Sequence, residues 1–369
     1  MTDQPNDYAI RTVQASCLAA LVVLVLAAVC GAQPERIPVP KSMTPYGLVP
    51  ALNRYSDAIL AIEQRTLPAE SVADAITHRV PLAPGVYIVR EPITLDGRHG
   101  LTLSGPSGGL MDPRGWARTW WEDNPQSRCI VCFDIPEGVP AFHLIGCRAV
   151  TFSGINFCRS TAGPLFLDER KEGMNSGEIR FERVGFHRRT DSGNALADPL
   201  QGLGMDASQT GYQALAVRGA NGADNYHFRD CDFHALDRCL DIDCPQTTRV
   251  TFTACNFRQC ENLAWCKGSG NLSFYGCQRY DCGPVVYEKC GIATCSMLWS
   301  GGWLDCSGSE EMQPLVDFSR TAYGSLAYEG GNGKQLTGPS QPLVIPPQRA
   351  DRTWVHMHGL APWGQTTTR

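Results

Sequence analysis

Along the middle of the chain, apolar and polar residues alternate in short runs that repeat. Five runs share one pattern. An apolar residue is followed by an aromatic two places on and by an apolar or cysteine residue three places later, usually with a second aromatic two places beyond that. They hold Val150, Phe152, Ile155 and Phe157; Ile179, Phe181, Val184 and Phe186; Tyr226, Phe228, Cys231 and Phe233; and Val250, Phe252, Cys255 and Phe257. The fifth holds Leu272, Phe274 and Cys277, with Arg279 where the last aromatic would stand. A fainter relative, Leu101 and Leu103, opens the series. Residues two apart share one face of a strand, so each run predicts a short strand with a buried apolar side. A second strand follows in the later repeats, at Leu240 to Cys244, Leu263 to Cys266 and Val285 to Cys290. The last three repeats start 24 and 22 residues apart, and a period in the low twenties implies a solenoid.

Leucine-rich repeats have similar periods, but their spaced leucines and asparagine are missing, and helical repeats need longer units. A parallel β-helix remains, with each turn built from short strands joined by tight bends. Residues 80–105 add a Pro84-Gly85 bend with Tyr87 two places on, a strand from Ile93 to Asp96, and a third strand closed by Gly105. On these residues the chain resembles the right-handed parallel β-helix superfamily, the pectate-lyase-like fold, over roughly residues 45–320. The expected fold class is all-β: a single-stranded right-handed parallel β-helix with a short N-terminal capping helix. That helix is expected in residues 51–64, where Leu52, Tyr55, Ile59 and Ile62 have helical spacing and would cover the open strand edges of the first coil.

Composition narrows the class without naming a reaction. The 369 residues carry 32 Lys+Arg against 37 Asp+Glu, a formal charge of −5, so no basic excess marks a nucleic-acid binder. A hydrophobic share of 43% and a charged share of 19% exclude a mostly disordered chain. Residues from Cys17 to Val29 are almost wholly apolar, and small residues follow up to Ala32. This reads as a secretory signal over residues 1–32, with an uncleaved anchor as the alternative, and it implies a secreted or cell-surface protein with no other membrane segment. The remaining division is 33–79 as linker and capping helix, 80–320 as the β-helix, and 321–369 as a Gly- and Pro-rich extension.

Of 17 cysteines, fifteen remain after Ala32. Cys231, Cys255 and Cys277 hold the slot that Ile155 and Val184 hold in earlier repeats, so they read as small buried hydrophobes. Cys260 and Cys282 form another pair one turn apart. Adjacent parallel strands lie within disulfide reach, so free thiols and disulfides in some pairs both stay open. Cys129 and Cys132 lack partners with zinc-site spacing, and no metal is expected.

Carrying the register forward by 24 and 22 residues places Asp241 under Trp265 and Tyr287, and Asp243 under Lys267 and Lys289. Glu288 would then point inward at a desolvation cost, and a one-residue slip on that turn removes the conflict. The outward stripe suits carbohydrate: rings stack on sugar faces, and charges bind hydroxyls or uronate carboxylates. Asp241, Asp243, Lys267 and Lys289 are the candidate catalytic residues. A lysine of lowered pKa would abstract a proton beside a uronate carboxyl group, or the two aspartates would act as acid and base on a glycosidic bond. A ladder of solvated Asp–Lys pairs is the plain structural alternative. Trp265 and Tyr287, with Trp116, Trp120 and Trp121 of the 106–128 insertion, are the candidate sugar-stacking residues; the three insertion tryptophans would equally serve as a cover on the stack. A second insertion, 187–213, interrupts the turns.

The resemblance implies calcium-binding aspartates with an arginine base if the chain works as a pectate lyase. It implies Asn-Thr-Asp, adjacent Asp-Asp and Arg-x-Lys motifs if it works as a polygalacturonase. None of these motifs is present, and the single His358-Gly359 fragment lies beyond the repeats. No cofactor is therefore expected, calcium being possible only through the resemblance. The expected function is binding, and in an enzyme reading cleavage, of an extracellular polysaccharide or cell-surface glycan, acidic rather than neutral. A polysaccharide lyase and a glycoside hydrolase are the two enzyme classes. A non-catalytic adhesion or structural role is the alternative, and oligomeric state cannot be read.

Overall fold

The computed structural model describes residues 79–82, 85–98, 100–106, 129–169, 177–188, 209–219, 225–245, 249–290, 295–305, 314–329, 332–334, 344–347 and 353–358. The expected signal segment, the helix expected at 51–64 and the tryptophans Trp116, Trp120 and Trp121 lie outside them. Among the described residues there is no helix, and every paired strand is parallel.

Each coil contributes one strand to each of three sheets, of ten, nine and nine strands, here called sheets I, II and III in the order the chain visits them. One coil shows the plan: Asn225–Arg229 in sheet I, Asp232–His234 in sheet II and Arg238–Asp243 in sheet III. This is the parallel β-helix that the repeats imply. Among the described residues the stack runs from Arg79 through Thr353–His358, so coils continue beyond residue 320, where an extension was expected. The strands there lie among Gly- and Pro-rich stretches and lack the paired aromatics of the repeats, which hid them in the sequence.

The corner between sheets I and II explains the sequence repeat. The residue after the sheet I strand takes a left-handed conformation: Gly154, Arg183, Asp230, Ala254, Gly276 and Gly301 in successive coils, with φ between 53° and 68°, Gly301 being followed by a second such residue, Gly302. Its N–H still donates to the next coil, as in Ala254 to the Tyr275 carbonyl at 2.8 Å, so the ladder turns the corner unbroken. The residue after it points inward: Ile155, Val184, Cys231, Cys255 or Cys277, all buried. The cysteines suit this slot because a thiol is small and finds a carbonyl one coil back. Cys231 Sγ donates to Phe181 O at 3.3 Å, and Cys255 Sγ to Phe228 O at 3.4 Å. The fourteen cysteines among the described residues are buried free thiols, which closes the disulfide alternative for them. Desolvation pushes the Cys147 thiol up to about 12.

Inside, like residues stack on like. Phe181, Phe228, Phe252 and Phe274 form a column with ring centroids 4.7–4.8 Å apart and nearly parallel planes, ending on Trp299. Phe186, Phe233 and Phe257 form a second column from sheet II. The spacing is that of the strands themselves, and each ring is removed from water, worth roughly 1.5–3 kcal/mol apiece. Polar groups also break the apolar interior, Arg159, Arg279 and Asp168 among them, and Arg159 Nη1 donates to the carbonyls of Val139 at 3.0 Å and Pro164 at 2.7 Å. Arg279, at the top of the second column, donates to the carbonyls of Cys282 at 3.1 Å and Pro314 at 2.9 Å. Asp168 faces inward from sheet III, and the Tyr226 hydroxyl donates to it. The rigid wall built this way fixes the outward side chains of sheet III in rows.

Candidate functional site

Sheet III presents the candidate site on its outer face. Its strands Gln213–Arg218, Arg238–Asp243, Asn262–Lys267 and Val285–Glu288 pair in sequence, with Val316–Arg320 following. Alternation turns Leu240, Ile242, Ala264 and Cys266 inward, and Asp241, Asp243, Trp265 and Lys267 outward. Asp241 lies beside Trp265, and Asp243 beside Lys267, as the 24-residue offset implies.

The next coil departs from the expected stripe. Cys266 pairs with Tyr287, and Lys267 with Glu288, one residue out of the expected register. Tyr287 therefore points into the core, fully buried, stacks on Phe318 at 5.2 Å, and donates its hydroxyl to Ser296 O at 2.8 Å. It has no face to offer a sugar. Lys289 is displaced as well: it is the left-handed residue that ends the strand, φ 55°, rather than a member of the outer row. Glu288 takes the outward place. The cause is spacing: the coil from Trp265 to Val286 is one residue shorter than a 22-residue step allows, and burying Tyr287 costs less than burying Glu288.

The buried centre of the face is Asp241, 2% exposed. Its Oδ2 accepts from Gln213 Nε2 at 3.0 Å, Arg218 Nη2 at 2.8 Å and Arg238 Nη1 at 2.9 Å, while its Oδ1 has no hydrogen-bond partner. Arg218 Nη1 also donates to the Asp241 carbonyl at 2.7 Å. Asp241 is thus a counter-ion that fixes two guanidinium groups. Trp265 stands above it, with the Arg238 and Arg320 guanidinium carbons 4.5 and 4.6 Å from its ring centroid. Arg238 comes from the preceding coil and Arg320 from two coils beyond, so they reach the ring from opposite directions along the stack, a cation–π arrangement. The Trp265 Nε1 donates to Glu288 Oε2 at 3.0 Å. Asp243 and Lys267 lie further out, 3.9 Å apart, with side chains 55% and 38% exposed.

A second cluster adjoins Arg238 at the corner between sheets II and III. Asp237 accepts from the backbone N–H groups of Gly211 and of Tyr212, the latter at 2.6 Å. Arg188 lies 4.0 Å from its other oxygen and 4.5 Å from the Tyr212 ring centroid. Glu261, one coil up and exposed, hydrogen-bonds Asp237; partial burial, then the negative charge of Asp237, raises its carboxyl above the ordinary range. A carboxyl group that keeps its proton longer than usual can donate it.

Sequence reasoning missed Arg218, Arg238, Arg320, Asp237 and Glu261. Arg218 and Arg238 had a signal: the run Gln213 to Arg218 repeats the alternation of Arg238 to Asp243 25 residues earlier. The 187–213 insertion broke the period and masked it. Arg320 had none, because a register shift between Val286 and Glu288 separates it from the preceding coil. Among the described residues, no three His, Cys, Asp or Glu side chains come together as a metal site. Comparison with protein-family models, with curated proteins and with solved structures gives no match.

Proposed function

We propose that this chain is an exported β-helix protein that binds an acidic extracellular polysaccharide along the outer face of sheet III. One observation carries the reading: Arg218, Arg238 and Arg320 converge with Lys267 around Asp241 and Trp265 on an exposed, rigid sheet of a chain that is acidic overall. Guanidinium forks fixed by Asp241 and Trp265 are pre-organised for carboxylates, which lowers the entropy lost on binding. Export is supported by the apolar run that ends at Val29.

Binding fits this face better than an acid–base pair built on Asp241 and Asp243. Asp241 is buried under three donors, and no group aims its free oxygen at solvent. Cleavage has separate support in Glu261, an exposed carboxyl that partial burial and the neighbouring Asp237 raise above its ordinary range. The test is a panel of acidic and neutral polysaccharides, assayed for binding, reducing ends and unsaturated products with and without calcium. Acidic members are expected to bind and an Arg238→Ala, Arg320→Ala double variant to lose at least tenfold in affinity. Equal binding by the double variant would overturn the site. Product release abolished by Glu261→Gln would add catalysis to it.

A further inference from the structure

One outward row of sheet III alternates in sign without a break. Register pairs place Glu169, Arg218, Asp243, Lys267, Glu288 and Arg320 side by side on six successive coils. Opposite charges on neighbouring strands are favourable, so a row of closed ion pairs would be enough to explain such a sequence. The side chains do something else. Of the five neighbouring pairs only Asp243 and Lys267 come within ion-pair distance, at 3.9 Å. Glu169 turns to His143 Nε2 at 2.7 Å, and Arg218 to Asp241 at 2.8 Å. Glu288 turns to the Trp265 indole, and Arg320 lies over the Trp265 ring. The charges are held apart by partners in the adjacent row and keep free valence: Glu169, Arg218, Asp243 and Lys267 have side chains 34–55% exposed.

From this row we infer the class of glycan that sheet III takes: a linear polymer in which an anionic sugar alternates with a neutral one, lying along the stack at one sugar per coil. The inference rests on the proposed binding function and makes it specific. Coils repeat at about 4.8 Å, close to the advance of one pyranose ring along an extended chain, so like charges recur at about 10 Å, one disaccharide apart. A carboxylate on every second sugar meets Arg218, Lys267 and Arg320. Hydroxyl groups of the intervening neutral sugars donate to Asp243 and Glu288, which as ionised carboxylates only accept. A polymer with a carboxylate on every sugar would set each second one against Asp243 or Glu288, and that repulsion excludes it.

Three probes of matched length test this on the full chain by calorimetry. Hyaluronan oligosaccharides carry one carboxylate per disaccharide, polygalacturonate one per sugar, and dextran none. Hyaluronan is expected to bind at least tenfold more tightly than polygalacturonate, and dextran not to bind. Lys267→Glu and Lys267→Gln should each remove that preference, whereas Arg229→Glu on sheet I, an exposed charge reversal away from the row, should preserve it. Polygalacturonate binding as well as or better than hyaluronan would overturn the alternating-sugar inference and leave the acidic-glycan reading standing. Absence of binding by both acidic probes, or equal binding of dextran, would overturn both.

Discussion

The outer faces of sheets II and III come from the same coils and obey the same alternation, yet their polar residues live in opposite conditions. On sheet III, Arg218, Asp243, Lys267 and Arg320 reach solvent, and the one buried charge, Asp241, has three donors. On sheet II, the outward Asn156, His187, Asp232, His234 and Arg258 are all buried although they point away from the phenylalanine columns. Asp232 is the extreme: both carboxylate oxygens lack a hydrogen-bond partner among the described residues. Burial raises its carboxyl to about 7, with Arg258 opposing, and burial also lowers the imidazole of His234. An outward position in a solenoid is therefore not an exposed one. The charges of sheet III stay open to solvent, whereas those of sheet II carry a desolvation cost.

That contrast can be broken by substitution. The largest effect is expected at Asp232. Its folded pKa of about 7 lies above the ordinary 3.8, so the unfolded chain gives up the proton first and stability falls as pH rises from about 4 to 7, then levels. Asp232→Asn should flatten that slope and raise stability at pH 8 by about 3–4 kcal/mol, read from urea unfolding at pH 4.5 and pH 8. A variant that is less stable than the parent at pH 8 would show that Asp232 has a partner in the folded protein. On sheet III the sign reverses: Asp241→Ala removes a counter-ion shared by two guanidinium groups and should cost about 2–3 kcal/mol in the same assay. Smallest is Lys267→Gln, whose exposed, loose contact with Asp243 should change stability by less than about 0.5 kcal/mol. A larger loss there would mean that the outer row is a structural ladder rather than a surface kept open for a ligand.

The interior was legible because its signal is periodic. Phe181, Phe228, Phe252 and Phe274 recur at spacings that only stacking coils satisfy, and Cys231, Cys255 and Cys277 substitute for Ile155 and Val184 in one buried slot. The register also placed Asp241 beside Trp265 and Asp243 beside Lys267. It failed one coil later, at Tyr287 and Lys289, because a constant offset cannot report a coil shortened by one residue; the warning was the inward Glu288 that the offset demanded. Coils beyond residue 320 escaped because their strands lack the paired aromatics and lie among Gly- and Pro-rich stretches. Arg320 and the Asp237–Glu261 pair depend on contacts across corners and register shifts, which no local pattern encodes.

The central claim is that glycan binding happens on sheet III. Hydroxyl-radical footprinting of the full chain, with and without a saturating uronate-containing polysaccharide, tests it within one molecule. Trp265 on sheet III and Tyr275 on sheet I are both accessible aromatic side chains on outer faces. The account predicts that ligand protects Trp265 from oxidation several-fold and leaves Tyr275 unchanged; protection of Tyr275 with Trp265 still oxidised at its free rate would contradict it.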